Sequence, residues 1–131
     1  MAVSVRRIIR SVPVTDLSMF RGDSARWRCA ITDADDVELD LDGVAIRFTA
    51  KRATSDDDDD AVIVATLADG IVVTDESGGV CEVRLTPEHT ADLTADTALL
   101  WDIQIQDAFG DVWTVANGAL TIALDVGMTA P

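Results

Sequence analysis

Tyrosine is missing from this chain of 131 residues, and the remaining aromatics are three Trp and three Phe. A glycosidase can work with two carboxylates alone, but its cleft is usually deep and lined with aromatics, which this composition does not supply. Nitrogen and sulfur ligands are scarce too: His89, Cys29 and Cys81 are all there are. Zinc takes three or four such ligands, and a serine–histidine–acid triad needs a serine held beside its histidine; neither pattern is present. No apolar run reaches the ~18 residues that span a bilayer. Arg6, Arg7 and Arg10 interrupt the N-terminal stretch where a secretory signal would need its apolar core. Bases are outnumbered, ten against twenty-four acids, and a net charge of −14 repels nucleic-acid phosphates. The expectation is therefore no enzyme, no cofactor, no metal centre, no nucleic acid and no membrane, with synthesis in the cytoplasm.

What is present is enough apolar residue, 48%, to bury one core in a chain too short for two. The charge is unevenly spread. Residues 1–28 hold six Arg against two acids, whereas residues 29–131 hold four bases against twenty-two acids. An acidic body with a basic leading arm over 1–11 can dock that arm on the body of a second copy, or on another acidic partner. Arg6, Arg7 and Arg10 are the arm's candidate contacts.

Leu99, Trp101, Ile103 and Ile105 alternate with Leu100, Asp102, Gln104 and Gln106, so a strand over 97–107 has one buried face. A turn over 107–111 leads to a strand over 112–116, a break at Asn117-Gly118 and a last strand over 119–124. Upstream, the same pattern predicts strands at 25–32, 44–51, 62–66, 71–74 and 80–85. A first strand over 12–20 belongs at an edge, because Pro13 cannot donate to a ladder. Thr86-Pro87-Glu88 is a helix-start signal for one or two turns near 86–93. Roughly eight short strands with turns between them predict an all-β sandwich or barrel.

Trp27, Phe48 and Trp101 fall on inward positions and are expected in the core. Trp113 has the opposite parity from Val112 and Thr114; with Phe109 in the turn, it is the candidate exposed anchor for a partner. Cys29 and Cys81 also point inward, on strands expected to face each other. A bridge between sheets is open to such a pair, but without an export signal reduced thiols packing the core are the expectation. Arg21-Gly22-Asp23 spells an adhesion tripeptide yet reads as ordinary turn chemistry. Asp40-Leu41-Asp42-Gly43 is a fragment of a calcium loop without its terminal Glu. Consecutive carboxylates over 56–60 diverge and repel, which predicts a solvated, mobile tip.

The order of short motifs is itself informative. Phe20-Arg21-Gly22-Asp23, Thr32-Asp33-Ala34-Asp35 and Leu41-Asp42-Gly43 precede Val44-Ala45-Ile46-Arg47-Phe48. Asp69-Gly70-Ile71, Leu85-Thr86-Pro87-Glu88-His89 and Trp101-Asp102-Ile103-Gln104 follow, and Gly118-Ala119-Leu120-Thr121-Ile122 with Asp125-Val126 closes the series. Over residues 12–126 the chain resembles the immunoglobulin-like domain at the N-terminus of tailed-phage baseplate upper proteins, which also occurs as a stand-alone virion protein. That resemblance implies an immunoglobulin-like β-sandwich of about seven to nine antiparallel strands, flanked by the arm at 1–11 and a tail at 127–131. It implies a structural adaptor that stabilises or bridges capsid, tail or baseplate subunits, in several copies per particle or as a homo-oligomer, and it brings no catalytic residues. The alternative function is a soluble carbohydrate- or protein-binding module, assisted by calcium.

Overall fold

Alternation of apolar and polar side chains builds eight strands among the residues that the computed structural model describes, 15–33 and 35–127. They are β1 (Leu17–Phe20), β2 (Ala25–Ala30), β3 (Ala45–Lys51), β4 (Ile63–Thr66), β5 (Ile71–Asp75), β6 (Val80–Leu85), β7 (Thr97–Gln106) and β8 (Val112–Ala123). One sheet has five strands in the order β1-β8-β7-β3-β4, and the other three in the order β2-β6-β5. The result is an immunoglobulin-like β-sandwich, with β1, β3, β4, β7 and β8 in one layer and β2, β5 and β6 in the other. The arm at 1–11, with Arg6, Arg7 and Arg10, lies outside the described residues, as do residues 128–131.

The two layers meet on one aromatic stack. Phe48 is wholly buried, with Trp101 at 5.7 Å on one side and Trp27 at 6.0 Å on the other. Around it lie Ile46 and Ala50 of β3, Leu99, Ile103 and Ile105 of β7, and Val83 and Leu85 of β6. A fully buried Phe or Ile stabilises by about 1.5–3 kcal/mol relative to its exposed state, so this inner stripe is what holds the sheets face to face.

Three expectations need correction. The first strand pairs with β8 in parallel, Leu17 opposite Leu120 and Phe20 opposite Ala123, so the strands are not all antiparallel. The helix near 86–93 is only a 3-10 turn, Pro87–His89, where the Thr86 N–H donates to His89 Nδ1 at 2.9 Å. No break occurs at Asn117-Gly118; β8 runs straight through, and Gly118 is where the Thr15 carbonyl presses on the strand, leaving no room for a Cβ. Cys29 and Cys81 stand directly opposite each other on the neighbouring strands β2 and β6, and both are free thiols, as expected.

Candidate functional site

No group of three or more His, Cys, Asp or Glu side chains is placed to hold a metal among the described residues. His89 serves the Thr86 turn, and Arg21 of the tripeptide is structural. Its guanidinium bonds Asp125 Oδ1 at 2.8 Å and the Leu93 carbonyl at 2.9 Å, while the Gly22 N–H donates to buried Thr90 Oγ1 at 2.8 Å. What distinguishes this molecule is its two outer sheet faces.

The three-stranded sheet carries a basic face on an acidic protein. Arg26 and Arg28 project from β2 and are exposed; the register sets Arg26 opposite Arg84 and Arg28 opposite Glu82. Among the described residues only Arg84 has a carboxylate partner there, Glu82 at 2.8 Å. Like charges directly opposite across a strand pair cost stability. The ladder phase also opens an edge: Ile31 N–H donates to the Gly79 carbonyl and Arg84 N–H to that of Gly70. Ala25, Trp27 and Cys29 therefore bond β6, and the main-chain groups of Arg26, Arg28 and Ala30 point away from it. Among the described residues no strand pairs with that edge.

The five-stranded sheet carries a polar face arranged in rows. Thr49 of β3, Asp102 of β7 and Asn117 of β8 stand side by side, and Arg47 with Gln104 forms the next row. Arg47 donates to Gln104 Oε1 at 3.1 Å. The aspartate run is not simply a solvated tip: it folds back over this face, Lys51 Nζ meeting Asp58 Oδ1 at 2.7 Å and the Asp56 carbonyl at 2.8 Å. The bond from Lys51, then its charge and that of Arg47, hold the Asp58 carboxyl below its usual range. Loop and sheet together bound an open cleft of about 710 Å³, lined by Arg47, Thr49, Lys51, Asp58, Asp102 and Asn117 among others. Burial pushes the Asp102 carboxyl above its usual value, outweighing the pull of Arg47 and Lys51.

Of the two expected aromatic anchors, Phe109 is 57% exposed at the β7–β8 turn, and Trp113 is not an exposed one. Trp113 sits opposite Ile105, packs against the core half-buried, and donates its indole N–H to Asp107 Oδ2 at 3.3 Å. The reason is a bulge: Ile103 faces Ala116 but Gln104 faces Thr114, so Val115 is an extra residue that keeps Trp113 on the inner side. Neither outer face was legible as a site in the sequence. The outward parity of Arg26, Arg28, Asp102 and Gln104 is readable there, but which of them stand opposite one another depends on register.

No protein-family model matches the chain, and no curated protein does. Among solved structures it is similar to the N-terminal domain of phage TP901-1 ORF48, at 10% identity over 86% of this chain and 84% of that one, with a TM-score of 0.41. Murine CRIg follows at 8% identity, covering 84% and 92%, with a TM-score of 0.40. AggA, the major subunit of aggregative adherence fimbriae type I from Escherichia coli, gives 9% identity, 92% and 100% coverage, and a TM-score of 0.34. Overlaps this loose assign neither partner nor activity.

Proposed function

We propose that the chain is a structural module of a tailed-phage particle, an adaptor that docks on an acidic surface of capsid, tail or baseplate subunits. The observation that carries this reading is the basic face of the three-stranded sheet, on a chain whose net charge is −14. Arg26 and Arg84 are held side by side at a cost to the isolated molecule, and an acidic partner would relieve it. The order of motifs over 12–126, which resembles a phage virion module, supports the same reading, and the arginines of the arm extend the basic surface in sequence.

Cosedimentation with purified particles, using Arg26→Glu/Arg28→Glu and a deletion of residues 1–11, tests the proposal. Binding should weaken at least about tenfold in the charge-reversed variant and fall with added salt, while the circular-dichroism spectrum stays that of the folded parent. Unchanged occupancy in both variants would remove the basic surface from the mechanism.

A further inference from the structure

Thr49 is on the outward face of β3, where a hydroxyl would ordinarily meet water, yet it is only 8% exposed. Its Oγ1 is buried without a hydrogen-bond partner among the described residues. An unpaired buried hydroxyl is costly, and native proteins keep few of them. Thr49 lines the cleft between the aspartate loop and the five-stranded sheet. A rotation of roughly 120° about Cα–Cβ carries the hydroxyl to the place the methyl held, with the methyl moving to that of Hβ.

The neighbours in its row have spare capacity of the same kind. Asp102 is half-buried beside Thr49, and Asn117 stands on the far side of Asp102, its amide offering donors and an acceptor. The charges around them are already matched: Arg47 and Lys51 both face Asp58, and Arg47 also holds Gln104. A charged ligand would have to displace those pairings. A hydroxyl donates and accepts at once, so adjacent hydroxyls can serve threonine, carboxylate and amide together at no cost in net charge. Leu100, 45% exposed on the same wall, offers an apolar patch for the ligand's C–H face. The volume, about 710 Å³, is that of a site for one or two sugar rings.

We propose that this cleft binds a small neutral polyol, a saccharide unit, through the row Thr49, Asp102 and Asn117. The site is on the opposite sheet from the basic face, so it stands or falls independently of docking on a particle.

The test is an amide NMR titration of the intact chain with glucose, galactose, mannose, rhamnose, N-acetylglucosamine, maltose and lactose, and with sodium acetate and arginine hydrochloride as charged controls. At least one sugar should give saturable shifts confined to residues 47–51, 100–104 and 114–119. Thr49→Val, which keeps the shape and removes the orphan hydroxyl, should abolish those shifts while the melting temperature stays level or rises. Asn117→Ala should weaken binding about tenfold or more, the loss of roughly one good hydrogen bond. Absence of saturation by every sugar overturns the proposal. So does binding that survives both substitutions, shifts that map to another surface, or a preference for either charged control.

Discussion

Replacing Arg21 with alanine should unfold the molecule far more readily than a turn substitution would. Arg21 and Asp125 side chains are 13% and 22% exposed, and the guanidinium makes two contacts of 2.8 Å to one carboxylate oxygen. A third bond, 2.9 Å to the Leu93 carbonyl, ties the β1–β2 turn to the segment before β7. Hydrogen bonds to charged groups contribute about 1.5–3 kcal/mol each when solvent is largely excluded, and removing one partner of a buried pair costs about 3–5 kcal/mol. Residual exposure lowers that, so about 2–4 kcal/mol is expected for Arg21→Ala. With an unfolding entropy of about 2.1 cal/mol/K per residue, each kcal/mol shifts the melting temperature by about 3–4 °C for a chain of this length. The fall should therefore be about 7–14 °C by circular dichroism. Arg21→Lys, which keeps charge but loses the fork, should recover part of it, and Asp125→Ala should be non-additive with Arg21→Ala. A loss below about 1 °C would refute the reasoning and return the tripeptide to the solvent.

Three further outcomes follow from the same geometry. Burial raises the folded-state value of Asp102 above its unfolded 3.8, so its carboxylate subtracts stability as pH rises through that interval; Asp102→Asn should melt higher than the parent at pH 7, with the gain vanishing below 3.8. A gain that persists unchanged in acid would contradict the assignment. Gly118→Ala should cost about 1–3 kcal/mol in urea denaturation and shift Trp101 fluorescence, because the methyl drives against the Thr15 carbonyl that accepts from Trp101 Nε1 at 3.1 Å; an unchanged midpoint would show that the strand can yield. The bond from Cys81 lowers the pKa of Cys29, while that bond and burial push Cys81 upward, so iodoacetamide should modify Cys29 well before Cys81 by mass spectrometry. Equal rates would contradict it.

Much of the sandwich is legible in the chain because period-two alternation is a local property. The β7 run from Leu99 to Ile105, and the inward parity of Trp27, Phe48 and Trp101, follow from it directly. What escapes is set by contacts between distant segments. The parallel β1–β8 pairing brings Thr15 alongside Asn117 and Gly118, its N–H donating to the Asn117 carbonyl, and β8 runs on through Gly118. One inserted residue, Val115, is enough to keep Trp113 on the inner side. The aspartate run folds back because Lys51 is the last residue of β3 and points at Asp58, a pairing that no charge count reveals. Both candidate faces are of this second kind: their residue types are visible in sequence, and their juxtapositions belong to the register.

Quantitative mass spectrometry of purified particles tests the proposed virion role most directly. The account predicts that the chain is retained in several copies per particle after gradient purification, and is shed when salt is raised. Absence from particles that contain every other structural subunit would contradict it.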